Sequence, residues 1–224
     1  MSSLIYLSDA NFSRHSANGI HIARICEALS KKTNVHLLHR GGIKNNLKLF
    51  NPNSEVKRYG TSFSIFENLR LIYIFNASKL FFQNTKAKIY GRSYFGILFA
   101  LMLGKKVIFE IHDMPRGFIQ NTIFKFIILN KNCLKIVSIT NALKEDICNF
   151  YKKREIKSKI VILPDGADYY KDLTHAELNA NSKLAYFGSF YKGKGFKKLL
   201  EVAKFLPDIN IDCYGDSSVL NEEE

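Results

Sequence analysis

Three short segments of this sequence combine residue types that could bind phosphate or handle protons. Phe109-Glu110-Ile111-His112-Asp113-Met114-Pro115 sets two carboxylates around a histidine. An imidazole beside a carboxylate can be held in one orientation, accept a proton or hydrogen-bond a sugar hydroxyl. The same triplet could equally form a self-satisfied loop network. No HEXXH pair occurs, so metal-assisted hydrolysis is not expected and no metal ligand is assigned. Gly188-Ser189-Phe190-Tyr191-Lys192-Gly193-Lys194-Gly195 comes close to the P-loop pattern GxxxxGK[ST]. Gly195 stands where the Mg²⁺-holding hydroxyl belongs, so what remains is a glycine-rich turn presenting Lys194, suited to a diphosphate without a metal. A basic turn with no ligand is the plain alternative. The third segment, Ser8 to Gly19, ends in Asn18-Gly19 ahead of a helical pattern. Glycine there lets a ligand approach the backbone, and the amides of a first helical turn suit phosphate; an ordinary turn between strand and helix fits too. The absence of GxGxxG counts against a dinucleotide fold of that kind.

Such residues need elements to position them, and the chain alternates strand-like and helix-like runs. Strands are expected at Leu4 to Ser8, Val35 to His39, Val56 to Tyr59, Lys88 to Gly91, Lys106 to Ile111, Lys135 to Ile139, Ile160 to Leu163, Leu184 to Gly188 and Ile209 to Tyr214. Helical spacing links Ile22, Ile25, Cys26 and Leu29, then Leu143, Ile147, Phe150 and Tyr151, then Phe196, Leu199, Leu200 and Ala203. Thr140 or Asn141 suits an N-cap, with Glu145 and Asp146 following in the first turns near the positive end of the helix dipole. Apolar strands such as Val107-Ile108-Phe109 suit a parallel sheet covered on both faces. The expected fold is α/β: a doubly wound parallel sheet, with ligands at the carboxyl ends of its strands. Three segments, Ile65 to Phe82, Tyr94 to Leu103 and Phe118 to Leu129, are more apolar than a surface helix requires. They suit either sandwiched helices or a surface resting on a membrane.

The polar stretch 165–182 lacks periodicity and reads as a linker. It divides a domain at 1–164 from a β-α-β restart at 183–224, which is too short to bury a core of its own. The second domain is therefore expected to be incomplete. Net charge of +13 attracts phosphate in a nucleotide, a nucleic acid or an anionic lipid; a solvated lysine-rich surface also explains it. No RNP, KH, zinc-finger or basic-helix pattern supports nucleic acid. The four cysteines lack metal or disulfide spacing and read as buried thiols. No signal peptide or bilayer-length apolar run is visible, so a cytoplasmic chain is expected.

Taken in order, these segments resemble the family 4 glycosyltransferases of GT-B fold. The similar elements are Ala17-Asn18-Gly19-Ile20-His21, Tyr90-Gly91-Arg92-Ser93, Glu110-Ile111-His112-Asp113, Ser138-Ile139-Thr140-Asn141-Ala142-Leu143-Lys144, Pro164-Asp165-Gly166-Ala167-Asp168 and Gly188 through Gly195. The resemblance implies a retaining transferase with a nucleoside-diphosphate sugar as donor, no permanently bound cofactor, and a glycan or lipid-linked acceptor in surface polysaccharide synthesis. It implies that Gly19, Asn18, Ser189, Lys194 and Gly195 meet the donor phosphates. His112, with Glu110 and Asp113, would stand at the transferring sugar, and Arg92 and Asp165 at the acceptor and the domain junction. Peripheral contact with the inner face of the plasma membrane fits such an acceptor. Two features depart from the family. Ser189 replaces an arginine, and the paired-glutamate segment that grips the donor would lie beyond Glu224. The chain is accordingly expected to lack activity alone, or to act as a non-catalytic acceptor-binding or membrane-docking subunit completed by a separate donor-domain chain. A Mg²⁺-dependent P-loop-like hydrolase is the reading from another class.

Overall fold

A computed structural model describes residues 3–12, 16–41, 49–51, 53–60, 70–152, 154–166, 184–188, 190 and 192–215. The chain divides into two compact units, Met1–Ala167 and Asp168–Glu224.

In the larger unit, strands β1 (Ser3–Asn11), β2 (Asn34–Arg40), β3 (Lys57–Gly60), β4 (Lys88–Gly91), β5 (Val107–Ile111), β6 (Cys133–Ser138) and β7 (Ile160–Ile162) form one sheet. All its pairings are parallel, in the order β3-β2-β1-β4-β5-β6-β7. The order reverses between β1 and β4, and the crevice at such a switch point is where doubly wound sheets take ligands. The connecting helices are α1 (Ala17–Ser30), α2 (Arg70–Gln83), α3 (Tyr94–Met102), α4 (Gly117–Leu129), α5 (Asn141–Tyr151) and α6 (Arg154–Lys159).

Alternation along the strands divides the core in two. Ile5, Leu7, Ile89, Val107, Phe109 and Ile136 face one side, where α2 to α6 cover them with Ala77, Ile97, Phe124, Ile147 and Ile156. Leu4, Tyr6, Val35 and Leu37 face the other, under Ile22, Ala23 and Cys26 of α1. Helix α1 packs on β1 and β2. Beyond it Ile108, Val137 and Leu163 line an apolar groove.

Local chemistry fixes the helix starts. Ser16, Ser93 and Thr140 each cap a helix by accepting a backbone N–H three residues on. Gly91 lets β4 press against β1: a Cβ there would sit 2.1 Å from the Leu7 carbonyl oxygen. That close approach lets the Arg92 and Ser93 amides both donate to Leu7 O.

Two expectations for α5 need correction. Leu143 and Ile147 are buried, but Phe150 is 61% exposed and points away from the sheet. Glu145 and Asp146 lie past the first turn, which contains no acid, so Thr140 alone secures this helix start.

The smaller unit pairs β8 (Leu184–Phe187) in parallel with β9 (Ile211–Tyr214), with α7 (Phe196–Ala203) between them. None of the residues of α7 is buried. Tyr186, Phe190 and Phe196 cluster, the last two with ring centroids 4.5 Å apart.

Candidate functional site

Glu110 lies one residue from the end of β5, with 3% of its surface exposed. On β1 and β4, Tyr6 pairs with Tyr90 in register, and alternation aims both rings toward the face that carries Glu110. The phenol of Tyr6 donates to Glu110 Oε2 at 3.4 Å, and that of Tyr90 donates to the same oxygen. His112 Nε2 lies 2.6 Å from Oε1. An ionised carboxylate only accepts, so this nitrogen carries the proton. Arg92 Nε, just past β4, lies 3.7 Å from Oε1.

Burial alone would push the Glu110 carboxyl up. The hydrogen bonds from His112 and Tyr90, and the charge of Arg92, outweigh it and hold the pKa below the ordinary value. A buried anion survives because donors surround it. The converse holds for its partners: burial first, then the nearby Glu110 charge, pushes the phenols of Tyr6 and Tyr90 well up. Tyr94, at the start of α3, is pushed up to about 12 by burial together with Tyr151 and Asp113.

A second histidine completes the cluster. His21, in the first turns of α1, sets its ring edge-on to His112 with centroids 5.2 Å apart. Its Nε2 lies 3.5 Å from Glu110 Oε1 and 3.5 Å from Asp165 Oδ1.

Two hollows share Glu110. One of about 260 Å³ is lined by Arg92, Tyr94, Glu110, His112, Asp113 and Arg116, among others. The other, about 470 Å³, is the apolar groove with His21, Tyr90, Glu110 and Asp165 at one end. The geometry therefore brings Glu110, His112, Asp113 and Arg92 together, with Asp165 meeting them through His21. Both polar and apolar walls are therefore available to a ligand.

Asn18 and Gly19 line neither hollow. The Gly19 amide donates to Ser16 Oγ at 3.1 Å, so it is committed to the cap. The helix start still adjoins the site, because His21 follows two residues on. Lys194 and Gly195 belong to the smaller unit, where Lys192–Lys194 form one 3-10 turn and Gly195, at φ +80°, starts α7. A β-substituted residue is strained at that φ, which argues against the hydroxyl side chain of a true P-loop. Ser189 lies outside the described residues.

Sequence reasoning passed over His21 and Tyr90 as site residues. Period-2 alternation does place Tyr90 on the Glu110 face once β4 is known to adjoin β5. His21 is less accessible: its position depends on α1 starting beside the switch point.

Neither the models of known protein families nor the curated proteins give a match to this sequence. Solved structures do. Anabaena Alr3699/HepE, in complex with UDP, matches over 98% of this chain and 70% of its own, at 10% identity and a TM-score of 0.59. A glycosyltransferase from Rickettsia africae ESF-5 matches over 96% and 60%, at 16% identity and a TM-score of 0.62. The fold is of the GT-B type. UDP-GlcNAc 2-epimerase from Methanocaldococcus jannaschii shares it at 11% identity and a TM-score of 0.57, over 95% of this chain and 65% of its own. This chain thus spans 60% to 70% of the length of these GT-B neighbours. A fold common to a transferase and an epimerase does not choose a reaction; the site must do so.

Proposed function

We propose that this chain is the acceptor-side part of a retaining, family 4-like glycosyltransferase that moves a sugar from a nucleoside diphosphate to a glycan or lipid-linked acceptor. The observation that carries the proposal is the convergence of His112, Arg92, His21 and two tyrosines on one buried carboxylate at the switch-point crevice. In the reaction the bond from the anomeric carbon to the diphosphate oxygen breaks, and the diphosphate keeps the electron pair. A bond to the acceptor oxygen replaces it, and the proton of the acceptor hydroxyl passes to the departing diphosphate. Protein donors fixed in advance around the developing charge lower the barrier without reorganising. Glu110 does not touch substrate in this scheme. It holds the His112 ring, leaving the other ring nitrogen to accept a hydrogen bond from a sugar hydroxyl. Arg92 and Arg116 line the same hollow and supply positive charge for phosphate. UDP, bound in HepE, is the first nucleotide to try.

The acceptor side suits a lipid. Helices α2, α3 and α4 bury their inner faces, yet Phe75, Phe82, Met102, Phe118 and Ile119 are 65% to 86% exposed. Lys79 and Lys125 punctuate the same helices. Such a basic, apolar surface rests well on anionic membrane. Among the described residues no helix is long and apolar enough to cross one.

The test is transfer from UDP- and GDP-sugars to a membrane glycolipid extract, by the chain with any co-purifying donor-domain chain. His112→Ala is expected to cut transfer at least 100-fold, and Lys194→Ala to cut it with little change in acceptor KM. Unchanged transfer in His112→Ala overturns the role given to that residue. Turnover of the sugar nucleotide without acceptor would point to epimerisation instead.

A further inference from the structure

We infer that His21, His112 and Asp165 form a binding site for one divalent transition ion of the zinc type. One ring nitrogen from each histidine and one Asp165 oxygen all lie within 4.8 Å of one another. The three come from separate elements, namely α1, the end of β5 and the segment after β7, and all belong to the larger unit.

The spacing between His21 and Asp165 suits two donors of one cation better than a hydrogen bond, with Glu110 a neighbour rather than a ligand. The Nε2 of His21 is shielded from solvent and makes no hydrogen bond, although two carboxylate oxygens stand near it. Both oxygens, Glu110 Oε1 and Asp165 Oδ1, are 3.5 Å away. A hydrogen bond from imidazole to a carboxylate settles at roughly 2.7–2.9 Å. Donors held about 2.0–2.2 Å from a tetrahedral ion are instead separated by roughly 3.3–3.6 Å. The His112 contact with Glu110, at 2.6 Å, is the hydrogen-bonded kind. That pairing commits Nε2 and leaves the ion the second ring nitrogen, for which ion and sugar hydroxyl would compete; a metal-binding histidine is commonly steadied by a carboxylate behind it.

Charge and donor type narrow the ion. Asp165 and the ionised Glu110 together match the charge of a divalent cation, and Arg92, 3.7 Å from Glu110 Oε1, leaves the cluster with one positive charge. Two imidazoles and one carboxylate favour zinc, cobalt or nickel over magnesium or calcium, which prefer all-oxygen shells. Three protein donors leave a fourth tetrahedral position, open to water or a phosphate oxygen. The inference stands on the cluster itself and not on the transfer reaction.

Zn²⁺ is titrated into the full chain against a chromophoric chelator, and Co²⁺ is titrated separately while visible absorption is followed. One tightly held ion per chain is expected, with Co²⁺ giving the intense bands of tetrahedral coordination and Mg²⁺ in excess failing to compete. His21→Gln and Asp165→Asn should each weaken Zn²⁺ binding at least 10-fold, and Asp208→Asn, an exposed carboxylate of the smaller unit, should not. Far-UV circular dichroism and melting of each variant show that the fold is kept. Absence of a stoichiometric site, or equal Zn²⁺ binding by the folded His21→Gln and wild-type chains, would overturn the inference. The readout does not involve sugar transfer, so it can fail while the transferase reading survives, and the reverse.

Discussion

At the scale of single residues, Glu110 decides the character of the site. It is the shared acceptor for Tyr6, Tyr90 and His112, with Arg92 and His21 beside it. Glu110→Ala removes the acceptor and leaves buried donors unpaired, at a cost of about 3 kcal/mol or more of folding stability, measurable by urea unfolding. The sign of the pH dependence follows from its lowered pKa. A carboxyl that ionises more readily in the folded chain contributes stability above its unfolded pKa. That contribution fades as pH falls through the folded value. Wild-type stability should therefore drop more steeply than that of Glu110→Gln on acidification below the ordinary carboxylate range. Parallel pH–stability curves for the two proteins would show that Glu110 is not held as an anion.

At the scale of elements, the close approach of β4 to β1 positions Arg92 and Ser93 at the switch point. Gly91→Ala places a methyl group 2.1 Å from Leu7 O, so the strands must part. A loss above about 2 kcal/mol is expected in denaturant unfolding, larger than the roughly 1 kcal/mol expected for removing the α5 cap in Thr140→Ala. The strands themselves were legible from sequence. The nine expected runs, from Leu4 to Tyr214, coincide with β1 to β9 within a few residues at each end, because β-branched and aromatic runs bounded by glycine, asparagine or charge leave little choice. Helix faces were less legible. Phe150 keeps helical spacing with Leu143 and Ile147, yet it is exposed, and its neighbour Tyr151 packs on Phe124 in its place. The site was half legible. Glu110, His112 and Asp113 are contiguous, and a strand end announces them. His21 and Tyr90 join them only through strand order, which no local pattern encodes.

At the scale of the whole molecule, the two units carry very different burdens. Every buried hydrophobic residue among the described ones lies between Leu4 and Ile160. A protein ending at Ala167 should therefore unfold cooperatively, with a melting temperature within a few degrees of the full chain. A fall of ten degrees or more would show that 168–224 stabilise the sheet. The cluster around Glu110 should persist in that shorter protein, because all of its members precede Ala167. The most direct measurement is a titration of UDP-glucose into the full chain with ¹⁵N-labelled histidines, together with any co-purifying donor-domain chain, followed by NMR. The side-chain signals of His112 and His21 should move saturably, while those of His36 and His39, buried on β2, stay fixed. Saturation with no movement at His112 or His21 would contradict the placement of the sugar-nucleotide site at the Glu110 crevice.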